Sequence, residues 1–510
     1  MADFSSFIGG SYKAQSPVTD NEETINWFSE VSESPGATAQ ASLYPTPGVV
    51  PFATAPVAGG RAMFASVTTA DPVPNQEGRC FAVFGDRFVE VLASGAITPR
   101  GTVAVDANPA TICTNGYGST DDSGRGQLLV TSGGKAYCYE LATDTLTLIT
   151  TLSDDGVVAT QGACLNGYFL VFDRDTSTVY MSFLLDGSRW DLSQFFQPSI
   201  ITNPWQAMVI SPFGQIVLPG VTTGEIWYNA GTFPIPFAPD LSGLLSYGCA
   251  ATFALTVVGD TTMWVAKTPD GGIQVMQMRG YRPERVSTHA MEVEGSTYPQ
   301  IDDAIGQCYT EQGHTFYLLT FPRANVTWAY DEKAPEGRRW HKRGTWISEE
   351  GVYHYFRPVF HCFAFNKHLM ADRELGLIYH LSNAHPKDVD GRVIRRLRRS
   401  PTVQHENRLV VLSWFELLMQ TGIGQDAALY GPPPTVMLRI SKDGGRTWGD
   451  ERQASAGAQG AFLTRVYWAR ITQGRQLVFE VTVSDAIRNW RITAAYLRTP
   501  QEMSSARGAA

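Results

Sequence analysis

Residues 315–331 read TFYLLTFPRANVTWAYD. An apolar run, a turn built on Pro, Arg, Ala and Asn, and a second run carrying Trp and Tyr make a β-hairpin. The plan recurs in both directions. Toward the N-terminus stand ALTVVGDTTMWVAK from Ala254, QIVLPGVTTGEIWYNA from Gln215 and YFLVFDRDTSTVYMS from Tyr168. LLVTSGGKAYCYEL from Leu128 and CFAVFGDRFVEV from Cys80 precede them, and HLMADRELGLIYHLS from His368 follows. The spacing is roughly 40 to 60 residues, near the 40–50 of a four-stranded propeller blade. One hairpin cannot cover both of its own faces. Blades stacked around an axis bury the Tyr and Trp side chains between sheets, each worth about 2–3 kcal/mol when fully buried.

No long 3.6-residue period interrupts the repeats. The expected fold is all-β: a β-propeller of six or seven blades over residues 55–385, with a pair of β-sandwiches as the alternative. Residues 1–54, rich in turns (SESPGATAQASLYPTPGVVP), read as an extended N-terminal arm. Residues 386–510 read as a separate C-terminal β-domain, with strands at LVVLSWFELLM, TVMLRIS, FLTRVYWARI, QLVFEVTVS and WRITAAYLR. Its PPPT at 432–435 punctuates them.

A net charge of −9 argues against generic nucleic-acid binding. The charge is uneven: residues 386–510 carry a balance of +7, and the residues before them −16. The opening MADFSSFIGGSYK has no succession of basic, apolar and small residues, so no secretory signal is expected. No apolar run is long enough for a membrane span, and no membrane insertion is expected. The cysteines at 80, 113, 138, 164, 249, 308 and 362 lack C-x-x-C spacing and mostly sit in apolar runs. They read as buried reduced thiols rather than a disulfide or zinc framework.

Residues 441–448, SKDGGRTW, have the form S-x-D-x-G-x-T-W of an Asp-box. Ser441 and Asp443 can accept hydrogen bonds from turn amides, Gly445 tolerates positive φ, and Trp448 packs beneath the loop. A hairpin turn accounts for all four residues. A sialidase would carry several boxes, an arginine cluster and a tyrosine activated by a glutamate, and here a single complete box lies after the repeats. No G-x-S-x-G, G-x-x-x-x-G-K-[ST] or H-E-x-x-H occurs, and no catalytic, cofactor or metal residue is assigned. KDVDGR at 387–392 lacks the remaining ligands of a calcium loop and reads as a turn. His354 and His361 have no neighbours in sequence that complete a ligand set.

The run RVIRRLRRS at 392–400 is the one concentrated charge feature. Arg392, Arg395, Arg396, Arg398 and Arg399 surround aliphatic residues. They read as a solvated strand or helix, or else as a docking site for an acidic protein surface or for DNA.

Taken in order, several segments resemble the packaged-DNA stabilisation, or tail hub (nozzle), proteins of short-tailed bacteriophages. They are GGSYKAQSPVTDNEETINWFSE with LYPTPGV, LLDGSRWD, GEIWYNAGTFPIPF and YGCAAT. GYRPERVSTHAME, IDDAIGQCYTEQGHTFYLLTFP, TWAYD and MLRISKDGGRTWGDE continue the series. The resemblance runs nearly end to end. It implies a virion structural protein of the tail, assembled in the host cytoplasm, and not an enzyme. It also implies a homo-oligomeric ring, a hexamer, beneath the portal adaptor. Such a ring closes and extends the DNA channel and carries fibres or spikes and a tail tip or needle. Phage double-stranded DNA passes it transiently, and no cofactor is implied. The alternative is a glycan-binding or glycan-cleaving propeller.

Overall fold

The computed structural model describes residues 2–34, 36–37, 39–66, 78–115, 126–268, 272–424, 432–487 and 489–499. Seven four-stranded antiparallel units follow one another through the repeat region. Blades one to five are the strands within 60–102, 111–148, 161–196, 209–239 and 256–285. Blade six is Ile305–Glu311, His314–Phe321, Val326–Asp331 and Trp340–Ile347. Blade seven takes Pro358–Ala364, Lys367–Asp372 and Leu377–Ser382 from its own region and its outermost strand, Gly48–Thr54, from the N-terminal segment.

Every quoted hairpin lies within one blade, and its continuous apolar runs follow from double-sided burial. Blade one shows the pattern. Phe81 and Val83 pack on Leu128 and Tyr139 of blade two, while Cys80 and Ala82 pack on Leu369 and Ala371 of blade seven. Successive residues thus serve opposite interfaces. The same alternation carries Leu170 and Phe172 of blade three against Trp227 of blade four, and Phe316 and Leu318 of blade six against Tyr379 of blade seven.

The first 54 residues differ from the extended arm read in sequence: they contribute six strands. Asn21–Ile25 extends blade six beyond Trp340–Ile347 and pairs on its other side with Arg396–Arg399. That sheet continues through Val478–Val483, Thr435–Ser441 and Arg452–Ser455. At Asn26, with φ of 61°, the chain crosses to the facing sheet, where Trp27–Val31 and Ala41–Pro45 lie beside Ile492–Arg498, Val410–Met419 and Val466–Gly474. An asparagine tolerates this backbone, and its side chain bonds the Gly344 and Arg395 carbonyls at 2.8 Å. The two sheets enclose a core containing Trp27, Leu43, Phe415, Leu438, Phe479 and Trp490. The C-terminal β-domain is therefore a sandwich completed by the N-terminal segment. Among the described residues, no helix is long and apolar enough to cross a membrane.

Candidate functional site

In the Asp-box, Thr435–Ser441 ends at Ser441, whose buried hydroxyl accepts from the Gly445 amide at 2.7 Å and donates to Asp443 at 2.7 Å. Asp443 accepts from the amides of Arg446 (3.0 Å) and Thr447 (2.9 Å) and from the Thr447 hydroxyl (2.6 Å). Partial burial pushes its carboxyl up, but these bonds outweigh that and hold it well below the usual range. Its lone pairs are spent on the turn, which leaves little basicity for proton transfer. Gly445 has φ of 92°, and a Cβ there would collide with Asn21 Nδ2. Asn21 in turn donates to the Gly444 carbonyl at 2.9 Å, so the loop is clamped onto the N-terminal segment. The guanidinium groups of Arg399 (5.1 Å) and Arg439 (5.5 Å) both lie over the Trp448 ring.

The arginine run occupies the seam between propeller, sandwich and N-terminal segment. Arg398 is fully buried. It donates to the carbonyls of Phe7 (2.5 Å), Gly10 (2.9 Å) and Ser6 (3.3 Å), to Thr24 Oγ1 (2.7 Å) and to Glu22. Arg396, also buried, donates to the Thr46 and Ile394 carbonyls. Desolvation lowers its pKa to about 10 despite nearby Asp388. Arg399 bridges Glu23 (2.9 Å) and the buried Glu480 (2.7 Å). Arg395 sits 4.1 Å over the Trp346 ring, and Arg392 pairs with Glu349 at 3.0 Å. Arg396 and Arg398 therefore grip this chain's own carbonyls and present nothing to an outside partner. The sequence showed the charge density; the reason for it lies in carbonyls 350 and 391 residues away in the chain.

One charged cluster has no sequence signal. Buried His314 of blade six bonds Asp331 through Nδ1 (2.7 Å) and Glu30 of the sandwich through Nε2 (2.5 Å). A neutral imidazole donates once, so two carboxylate partners require the cation. Burial opposes that charge, yet the two carboxylates raise the pKa to about 9.

The seven innermost strands line an axial cavity of about 720 Å³ with Met63, Ile112, Cys113, Met208, Leu255 and His361 among its walls. A duplex, whose major groove alone is about 12 Å wide and about 8.5 Å deep, is too thick to thread so small a space. His361 and His368 stand 3.0 Å apart at its margin. Burial, reinforced by His368, pushes His361 down to about 3. His354 instead pairs with Glu350. Asp388 accepts from the Val389 amide and the Thr345 hydroxyl. Among the described residues, no group of three His, Cys, Asp or Glu side chains could hold a metal ion.

The models of two families match: "Bacteriophage P22 Gp10, beta-propeller" over residues 17–385 and "Bacteriophage P22 Gp10, beta-sandwich" over 395–496. The chain belongs to the bacteriophage P22 Gp10 family. It is a phage structural protein of the tail and DNA-stabilisation class, a virion component that works with other virion proteins. The family's propeller match includes the strand Gly48–Thr54 that closes blade seven, and its sandwich match holds the Asp-box. No curated protein matches the chain.

Solved structures of propeller type are similar at low identity. A streptogramin B lyase is 10% identical with a TM-score of 0.40, covering 66% of this chain and 98% of its own. A catalytically inactive virginiamycin B lyase from Staphylococcus aureus with quinupristin is 9% identical with a TM-score of 0.37, covering 66% and 98%. A putative 6-phosphogluconolactonase from Bacteroides fragilis is 10% identical with a TM-score of 0.37, covering 71% and 98%. Likenesses this distant carry no functional argument.

Proposed function

We propose that the chain is the hub, or nozzle, subunit of a short phage tail. Copies form a ring, six in number, below the portal adaptor. The ring closes and extends the DNA channel, retains packaged DNA, and gives fibres or spikes and the tail tip their attachment. The observation that carries this reading is the narrow propeller axis, whose cavity of about 720 Å³ is too small to admit a duplex. A duplex cannot pass through one subunit, so in this reading the DNA path runs between copies arranged around it. The acid excess of residues 1–385 suits a wall that repels phosphates and lets a moving duplex slide. The Asp-box and the arginine run act as internal fasteners, holding propeller, sandwich and N-terminal segment as one load-transmitting body. No catalytic step is assigned.

The test is electron-microscopic imaging of the purified chain, alone and mixed with portal–adaptor rings from the same genome. The expected image is a closed ring seated on the adaptor with an open central path. Separate subunits that ignore the adaptor would overturn the hub reading and revive the glycan-binding alternative.

A further inference from the structure

At one end of the propeller, away from the axis, blades four, five and six enclose a second pocket of about 460 Å³. That size is ordinary for a small-molecule site. Blade four supplies Phe213, from the turn 211–215 between its first two strands. The Ser211 amide closes this turn on the Gln215 carbonyl at 2.7 Å, and the Phe213 ring is left 74% exposed. Gln215 Nε2 then donates to the Tyr281 hydroxyl at 2.7 Å, which pins the turn to the last turn of blade five. The wall is therefore preformed.

Two buried polar side chains line the pocket from the middle strands of blade five: Thr262 (1% exposed) and Gln277 (3%). Gln277 donates to Glu332 at 3.4 Å, but its carbonyl oxygen and the Thr262 hydroxyl have no hydrogen-bond partner among the described residues. Native folds rarely leave such atoms alone, and at the wall of a pocket they mark where a ligand supplies the missing bond. The charged lining is mixed in sign: Asp260 and Arg279 of blade five, Glu332 and Lys333 after the third strand of blade six. Burial first, then Asp260, push the Glu332 carboxyl up, while Lys333, Gln277 and Arg279 pull it down. All four neighbours thus act on one carboxylate. The pairing of Arg279 with Glu284 at 3.0 Å is exposed on both sides and holds the guanidinium only weakly.

These groups select a ligand class. A phosphate or carboxylate would meet two acids, and a lone cation would meet Arg279 and Lys333, so net charge of either sign is disfavoured. A neutral polyol suits both sets, because one hydroxyl can accept from a cation and donate to a carboxylate at once. The unpartnered amide oxygen and hydroxyl are neutral partners of the same kind, and an exposed aromatic ring offers an apolar face to a ring of C–H groups. We propose that this pocket binds a neutral saccharide. Phe213 stacks on a sugar ring, Asp260, Glu332 and Gln277 accept from its hydroxyls, and Arg279 and Lys333 donate to them. Thr262 completes the set from the wall. No bond is broken: the site holds carbohydrate, an activity beside the structural role of the chain.

The experiment is saturation-transfer NMR on the full chain with four neutral probes, the trimers of glucose in α-1,4 and β-1,4 linkage, of mannose and of N-acetylglucosamine. The trimer of galacturonic acid and free L-lysine serve as charged controls. At least one neutral trimer should bind, and neither control should displace it. Phe213→Ala should weaken that binding by about 3- to 10-fold, the loss of one aromatic contact. Asp260→Ala should weaken it by about 10-fold or more, the loss of a charged acceptor. Both side chains are exposed, so each variant should keep the wild-type melting temperature. Failure of all four neutral probes would overturn the proposal. So would binding of a charged control in their place, which would assign the pocket to an acid or a zwitterion. Saccharide binding that survives both substitutions unchanged would put the sugar elsewhere on the chain and overturn the assignment to this pocket. The pocket is complete within one subunit, so none of these results bears on the ring.

Discussion

His314 of blade six holds Glu30 of the sandwich across a 2.5 Å hydrogen bond, while its other nitrogen holds Asp331 at 2.7 Å. The ring must be an imidazolium to donate twice, and its pKa is raised to about 9, above the ~6.5 of an unfolded chain. A raised folded pKa stabilises fully below about 6.5, and the contribution is lost as pH climbs through about 9. Melting temperature should therefore fall between those values. His314→Gln should flatten that limb; an unchanged alkaline limb would refute the assignment.

His341 contributes the opposite slope. Burial first, then Arg343 and His314, push it down to about 4, although Asp331 pulls the other way. A depressed pKa stabilises above the unfolded value of ~6.5 and is lost as pH falls toward 4. His341→Phe should remove part of the acid-induced loss of stability, read from denaturant midpoints at pH 4.5 and 7.

Arg398→Ala should be the most damaging change in the seam. It strips donors from three main-chain carbonyls and leaves Glu22 buried without its cation, at a cost of about 3–5 kcal/mol. Burial already pushes the Glu22 carboxyl upward against the pull of Arg398. Urea denaturation gives the magnitude, and faster proteolysis within residues 5–20 should show the N-terminal segment released.

Asp443→Ala should cost only about 1 kcal/mol, because the amides it serves at Arg446 and Thr447 are exposed and can turn to water. Gly445→Ala should cost more: it meets both a positive φ and Asn21, and it should loosen the N-terminal segment without touching a carboxylate. Neither substitution should alter a glycosidase activity, since none is expected; a turnover lost with Asp443 in a folded chain would reverse that conclusion.

All seven cysteines are free thiols. Cys80 and Cys362 meet at 3.6 Å between blades one and seven, and desolvation first raises Cys164 and Cys308 to about 11. A thiol reagent at pH 7.5 should react slowly with the native chain and rapidly with all seven groups in denaturant. Fast native labelling would show that the blades part.

The propeller was legible because its information is local. Each hairpin, such as Tyr168–Asp173 with Thr178–Phe183, declares itself within about fifteen residues. The Asp-box turn was legible for the same reason. The fate of Asn21–Ile25 was not: its partners include Lys342 and Leu397, and nothing near residue 21 specifies either. The arginine run suffered the same ambiguity. A buried guanidinium and a solvated one look alike in sequence until the carbonyls of Phe7 and Gly10 are placed against it.

The strand Gly48–Thr54 is made early and used late. Its partner, Leu377–Ser382, leaves the ribosome more than 300 residues afterwards, which at about 5–20 residues per second means a wait of roughly 15 to 70 seconds. Asn21–Ile25 waits longer still, for Arg396–Arg399. During synthesis the nascent chain therefore carries two sheet strands at its head whose long-range partners do not yet exist, open to pairing with neighbouring nascent copies. Chaperone demand during translation, rather than final stability, should set how much of this protein a cell can produce.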